Sequence, residues 1–183
     1  MRRSPKSALG IALLILFAAA CADKPGTLTA PSGANFIVNG QPTGNAYGNV
    51  GALLFDYDQN GVINGDDEWC SGSLITPTIF LTAGHCVVTS YTPPGSQFYV
   101  SFAPDLYEKS ASFIKATSYV WDPAYGHDVA NLHDLALVFL PKNSTRGITP
   151  LQLPPAGYLD QLKASGVINS LIFVNVGYGV SAT

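Results

Sequence analysis

One histidine and one cysteine stand side by side in FLTAGHCVV, residues 80–88, where an apolar run ends in a polar turn. A histidine in this setting has three chemical uses. His85 can serve as a general base, bind a metal ion, or lie in the core as a structural residue beside Cys86. Taken alone, a histidine next to a cysteine favours the structural role, so the choice rests on the surrounding motifs.

The first twenty residues have the layout of a secretory signal. The basic start MRRSPK is followed by the apolar run ALGIALLILFAAA at residues 8–20, which is shorter than the roughly 20 residues that span a bilayer. The run ends at Cys21, and LFAAAC resembles the lipobox of bacterial lipoproteins, which implies cleavage before Cys21 and lipid on its thiol. A plain signal peptide cut near Ala20 is the alternative. We expect export from a bacterial cell, either as a membrane-anchored lipoprotein or as a secreted protein.

Two other cysteines, Cys70 and Cys86, flank the segment that ends at the histidine. An exported protein folds in an oxidising compartment, where a disulfide between two cysteines is the default. Closing their loop would stabilise the fold by about 3 kcal/mol in the chain-entropy model. A metal site is less favoured, because two cysteines so spaced with one adjacent histidine lack the paired spacing of zinc motifs.

The segment CSGSLITPTIFLTAGHC, residues 70–86, resembles the histidine motif of trypsin- and chymotrypsin-like serine proteases. In that motif a cysteine precedes a GGSL strand, and a second strand ends at TAAHC. Ser71 stands where the family usually has glycine, and Gly84 stands where it usually has alanine. The resemblance implies that His85 is the catalytic base and that a Cys70–Cys86 bridge pins it at the lip of a cleft.

The segment HDLALVFL, residues 133–140, resembles the aspartate motif NDIALLKL of the same family. A carboxylate on the Nδ1–H of a histidine holds one tautomer and stabilises the imidazolium, and the resemblance assigns this catalytic role to Asp134. Asp128, in GHDVANL, is a rival, but no strand of the family's type follows it directly. A residue that caps a turn at the start of a strand is the other interpretation of Asp134.

The segment IVNG, residues 37–40, resembles the mature N-terminus of the family. There, cleavage before the isoleucine frees an amine that inserts into the fold and pairs with an aspartate beside the nucleophile. The resemblance implies an activation site between Phe36 and Ile37, although Phe36 replaces the usual Arg or Lys, so another protease would have to cut here. A plain first β-strand is an equal interpretation.

The nucleophile serine of the family lies in GDSGGP, and this string does not occur in the sequence. Ser165 and Ser170 have neither an aspartate before them nor paired glycines after them. Ser181 lies two residues before Thr183, the last residue given. VGYG, residues 176–179, resembles the start of the second barrel. We therefore expect the first antiparallel β-barrel of the two-barrel trypsin-like fold, a crossover, and about one strand of a truncated second barrel.

The segment DYDQNGVINGDD, residues 56–67, resembles a calcium loop of the EF-hand or dockerin kind. Oxygen-bearing groups occupy its positions 1, 3, 5, 7, 9 and 12, which are Asp56, Asp58, Asn60, the carbonyl of Val62, Asn64 and Asp67. Position 12 is aspartate, as in dockerins, and the flanking segments have the pattern of strands instead of helices. A long acidic hairpin turned at NG is the alternative.

The rest of the pattern is typical of an all-β chain. From residue 37 onward, short segments rich in Val, Ile, Phe, Tyr and Leu alternate with turn residues, and only residues 156–165 favour a short helix. The predicted organisation is a signal peptide at 1–20, a flexible tether at 21–36, and a trypsin-like peptidase domain at 37–183 that is incomplete at its C-terminus.

The function implied by these resemblances is peptide-bond hydrolysis by a His-Asp-Ser triad whose serine lies beyond this sequence. We expect the substrate to be a peptide or protein, catalysis to require no cofactor, and these residues alone to be inactive. The net charge of -3 and the absence of a basic stripe argue against nucleic acid. A non-catalytic protease-like binding module, dependent on calcium, is the alternative function.

Overall fold

The computed structural model describes residues 37–92, 95–126 and 133–181. The predicted signal peptide and tether, together with Cys21, Phe36 and Asp128, lie outside the described residues. None of the helices in the described ranges is long and apolar enough to cross a bilayer.

Strands dominate the described residues, which confirms the all-β prediction. The strands are β1 (Ile37–Gly40), β2 (Val50–Phe55), β3 (Glu68–Thr76), β4 (Ile79–Thr82), β5 (Phe98–Ser101), β6 (Ile114–Lys115), β7 (Ser118–Trp121), β8 (Ala136–Phe139) and β9 (Gly179–Ser181). A short helix, α1 (Tyr158–Ala164), forms within the segment that favoured one. Seven strands pair in the order β6–β5–β2–β3–β4–β8–β7, and β1 pairs with β9 in parallel.

The seven-stranded sheet is curled, and its two end strands, β6 and β7, are consecutive in the chain. β6 pairs with β5, and β7 pairs with β8. Between them, the N–H of Ala116 donates to the carbonyl of Phe98 at 2.9 Å, and the N–H of Thr117 donates to the carbonyl of Phe139 at 2.8 Å. Strands β2 to β8 therefore form one curled antiparallel half-barrel, hereafter the barrel.

The interior of the barrel is filled by alternate residues of its strands, because successive side chains of a strand point to opposite faces. β8 buries Ala136 and Val138 in this way, and β5 buries Phe98 and Val100. They share one apolar cluster with the fully buried ring of Phe80 from β4. Burial of each large apolar side chain stabilises the fold by about 1.5–3 kcal/mol relative to exposure.

Gly72 lies at a point of β3 where no side chain fits. A Cβ atom at this position would collide with the carbonyl oxygen of Leu81 and with the ring of Phe80. Both groups belong to the neighbouring strand β4, which pairs with β3 in the barrel wall. The glycine of the SGSL segment is therefore required by close strand packing.

Gly72→Ala is expected to lower the free energy of unfolding by about 1–3 kcal/mol, because the new methyl group must displace backbone and a buried ring. Gly48→Ala is the matched control, since its Cβ would meet only the carbonyl of Asn45, at 3.7 Å. That exposed substitution should change stability by less than about 0.5 kcal/mol. Urea unfolding measures both, and equal stabilities of the two variants would contradict the packing argument.

Ser71 anchors the segment that follows the barrel. The backbone N–H of Tyr178 donates to Oγ of Ser71 at 2.7 Å, and the hydroxyl of Tyr178 donates to the carbonyl of Ala103 at 2.5 Å. Burial, with the nearby charge of Glu68, raises the pKa of Tyr178 to about 12, so its hydroxyl remains a donor at neutral pH. The serine that replaces the usual glycine of the histidine motif thus has a structural use.

Candidate active site

The pairing of β4 with β8 brings His85 and Asp134 together. Thr82 at the end of β4 is the register partner of Ala136 at the start of β8. In an antiparallel pair, the chain that leaves one strand lies beside the chain that enters the other. His85 follows β4 in a 3-10 turn at Gly84–Cys86, and Asp134 lies just before β8. Two residues distant in sequence therefore meet at one end of the barrel.

The carboxylate of Asp134 holds His85 at two points. Its Oδ2 lies 2.8 Å from Nδ1 of the imidazole, and its Oδ1 accepts the backbone N–H of His85 at 2.7 Å. A carboxylate beside Nδ1 places the proton of the neutral ring there, and the lone pair is then on Nε2. The His85 side chain is 32% exposed. The arrangement makes Nε2 the basic nitrogen of a partly exposed ring.

Hydrogen bonds keep Asp134 ionised. Burial alone would raise its pKa, but the imidazole of His85 and the backbone N–H groups of His85 and Gly84 favour the charged form. Together they hold the pKa of Asp134 below its usual value. The ionised carboxylate also stabilises the positive charge that the ring acquires when Nε2 takes up a proton.

Gly84 leaves room for this carboxylate and for a buried tyrosine. A Cβ atom at position 84 would lie 3.2 Å from Oδ1 of Asp134 and 3.2 Å from the ring of Tyr125, which is tighter than most such contacts. Tyr125 is 7% exposed and belongs to the connection between β7 and β8. Glycine thus replaces the usual alanine of the histidine motif at a position where the ring of Tyr125 lies close to the backbone.

The predicted disulfide between Cys70 and Cys86 is present. It joins β3 to the turn that carries His85. The Nε1–H of Trp69 donates to the carbonyl of Cys86 at 3.0 Å and holds the same turn from a second side. Sequence reasoning missed Trp69, and its position directly before Cys70 was the only signal available.

The disulfide removes Cys70 and Cys86 as metal ligands beside His85. The ring and the sulfurs of Cys70 and Cys86 lie close enough together to surround an ion. A cysteine binds a metal as a free thiolate, and neither sulfur is free when the two are bonded to each other.

A second histidine–aspartate pair supports the backbone next to Asp134. Nδ1 of His133 lies 2.9 Å from Oδ2 of Asp122, which directly follows β7. The backbone N–H of Asp122 also donates to the carbonyl of Leu135 at 2.9 Å. The N–H of Ala124 and the ring of His133 hold the pKa of Asp122 below its usual value. These contacts fix the residues on both sides of Asp134.

Ser165 and Ser170 make local contacts. The hydroxyl of Ser165 donates to the carbonyl of Leu162 at 3.0 Å, and that of Ser170 donates to the carbonyl of Val167 at 2.8 Å. Both are exposed. In the part of the chain that the structure describes, no serine hydroxyl is hydrogen-bonded to His85.

Three of the six predicted calcium ligands lie together. The carboxylates of Asp56, Asp58 and Asp67 have oxygens within 4.8 Å of one another. The Oδ1 of Asn64 accepts the N–H of Asp66 at 2.7 Å and caps a short 3-10 turn. The loop is flanked by β2 and β3, as the sequence pattern indicated.

The proposed activation site is only partly described. Ile37 opens β1, whose partner is β9, and Phe36 lies outside the described residues. Cleavage between them stays a prediction.

The family model described as Trypsin matches residues 54–169, which is more than half of the chain and includes His85 and Asp134. The chain belongs to the trypsin family. No curated protein matches it significantly. The barrel is the all-β architecture expected of a trypsin-family chain, and membership indicates a serine protease that acts on peptides or proteins.

The lowered pKa of Asp134 predicts how stability depends on pH. Such a carboxylate stabilises the folded state above its unfolded pKa of about 3.9, and this contribution is lost as the pH falls through the lower folded pKa. Asp134→Asn is therefore expected to reduce stability by about 1–3 kcal/mol at pH 6, the range for hydrogen bonds to a charged group, and by progressively less toward pH 2.

Urea unfolding of parent and variant at pH 6 and at pH 2–3 measures this difference. Asp160→Asn, on the exposed helix α1, is the control and should follow the parent at both values. A deficit of Asp134→Asn that stays constant down to pH 2 would show that the loss is not electrostatic.

Proposed function

We propose that His85 and Asp134 are the general base and the orienting acid of a Ser-His-Asp triad in a serine endopeptidase. The contact of Asp134 with both Nδ1 and the backbone N–H of His85 is the observation that carries this proposal. It favours the tautomer whose Nε2 can take the proton of a serine hydroxyl. Membership of the trypsin family supports the reaction class.

In the proposed reaction, Nε2 of His85 takes the proton of the serine hydroxyl while the serine oxygen attacks the carbonyl carbon of the peptide bond. Asp134 stabilises the resulting imidazolium, which then donates the proton to the leaving amine. Water repeats these steps on the acyl-enzyme and releases the carboxylic product. The protons move between these groups alone, so the mechanism needs no cofactor.

We propose further that the nucleophile lies in residues that follow this sequence. The string GDSGGP does not occur in it, and Ser165 and Ser170 bond only to nearby carbonyls. The apolar residues 172–174 support the same view, since their exposed fractions are 92%, 65% and 66%. A contiguous exposed apolar stretch is typical of a surface that other protein covers. A second barrel that carries the serine would cover this one.

Peptidase assays on the 183-residue chain and on the product of the longer reading frame test this function. We expect no His85-dependent hydrolysis of fluorogenic peptides by the 183-residue chain, because His85 and Asp134 then have no serine to activate. The longer product is expected to be active. In it, His85→Ala should lower kcat/KM by about 10⁴-fold or more, while the exposed control Asp160→Asn should leave it unchanged.

Two outcomes would contradict the proposal. Hydrolysis by the 183-residue chain that disappears in His85→Ala would place the nucleophile within these residues. An active longer product that keeps its rate in His85→Ala would exclude His85 as the base. A longer reading frame that lacks the serine altogether would favour a binding module.

We propose that the protein is exported and held on a membrane by lipid on Cys21. The Cys70–Cys86 disulfide supports export, because such bonds persist in oxidising compartments. The LFAAAC segment supports lipidation. Each lipid CH₂ buried in the bilayer adds about 0.8 kcal/mol of membrane affinity, so several acyl chains would anchor the protein stably.

Cys21→Ser is expected to move the protein from the membrane fraction to the soluble fraction of the producing bacterium and to abolish incorporation of labelled fatty acid. Thr27→Ser, in the predicted tether, is the control and should remain in the membrane fraction. Retention of the Cys21→Ser variant on the membrane would rule out this anchor.

A further inference from the structure

One carboxylate oxygen in the described residues is buried without a hydrogen-bond partner. It is Oδ1 of Asp56, the residue directly after β2. The other oxygen of this group, Oδ2, accepts the backbone N–H of Gly61 at 3.1 Å. Burying a carboxylate oxygen without a partner is unfavourable, so a compensating group is expected at this place.

Two further carboxylates lie close to the carboxylate of Asp56. The oxygens of Asp56, Asp58 and Asp67 are within 4.8 Å of one another, and Asp67 is 3% exposed. The ion pairs formed within the described residues, at His85 and His133, do not reach this cluster. Three acids this close repel one another when all are ionised, and a cation between them reverses the sign of that interaction.

We propose that the loop at residues 56–67 binds a calcium ion through the carboxylates of Asp56, Asp58 and Asp67. The buried Oδ1 of Asp56 is the oxygen that the ion partners. Calcium accepts six to eight oxygen ligands in flexible arrangements, whereas magnesium demands a tighter octahedron and keeps more of its water. A surface loop with three convergent carboxylates therefore suits calcium better.

The backbone of the loop turns sharply between the first and the last of these carboxylates. Gly61 adopts a φ of 77°, which reverses the chain at the loop position where calcium loops have glycine. The Oδ1 of Asn60 accepts the N–H of Val62 at 2.7 Å. Asn64 caps the following 3-10 turn, and the carboxylate of Asp67, at the end of that turn, belongs to the cluster.

The proposed ion site is connected to an aromatic reporter. Tyr57, between two of the proposed ligands, stacks on Trp69 with ring centroids 5.9 Å apart. The N–H of Tyr57 also donates to Oδ1 of Asp67 at 3.3 Å. An ion that holds Asp56, Asp58 and Asp67 together restricts Tyr57 and so changes the surroundings of the indole. Tryptophan fluorescence therefore reports binding without any measurement of peptide hydrolysis.

Titration of the chelator-treated full chain with CaCl₂, followed by calorimetry and by tryptophan fluorescence, tests the proposal. We expect one saturable site with the same dissociation constant by both methods. The melting temperature should rise by about 5–10 °C at a hundredfold excess over that constant. MgCl₂ should bind at least about tenfold more weakly. No saturable calcium binding, or equal affinity for magnesium, would overturn the assignment.

Asp56→Asn and Asp58→Ala separate a calcium site from an acidic hairpin. Each is expected to weaken calcium binding at least about tenfold, while Asp160→Asn, a matched change on α1, should bind as the parent does. Asp58 is exposed, and the hydrogen bonds that its side chain forms within the described residues are to Asn60, so Asp58→Ala serves if Asp56→Asn fails to fold. Unchanged calcium affinity in Asp58→Ala would overturn the proposed ligand set.

Discussion

The antiparallel register between β4 and β8 is the constraint on which the candidate site depends. Thr82 opposes Ala136. His85 follows Thr82 by three residues, and Asp134 precedes Ala136 by two. A slip of one residue would turn the side chains of Ala136 and Val138 away from the core. Because the apolar interior tolerates only one register, the packing of the barrel also decides that the carboxylate meets the imidazole.

Several weaker contacts then hold each partner in place. The Cys70–Cys86 bond contributes about 3 kcal/mol of loop closure and fixes one end of the turn that carries His85. Individual hydrogen bonds, such as that from Trp69 to the carbonyl of Cys86, contribute only about 0.5–1.5 kcal/mol each. These contacts matter for the chemistry because they come from different strands and together restrict the positions that His85 and Asp134 can adopt.

The acidic loop shows the same dependence on the surrounding barrel. β2 and β3 deliver its two ends to neighbouring points of the wall, so the first carboxylate, Asp56, and the last, Asp67, are brought together by strand pairing. At Asn64 the chain begins a short 3-10 turn, which uses the side chain of this residue as its cap.

The sequence by itself indicated the all-β class, the pairing of His85 with Asp134, and the disulfide between Cys70 and Cys86, because each follows from short local patterns. It also indicated the acidic loop, and the structure brings the carboxylates of Asp56, Asp58 and Asp67 together within it. Only the tertiary structure decided that Tyr125 fills the space beside Gly84, that His133 pairs with Asp122, and that Ser71 accepts a bond from Tyr178. These contacts join residues whose separation is set by strand register and by the path of the connections. Local sequence patterns do not specify that path, because it is set only when the strands pair and pack around one core.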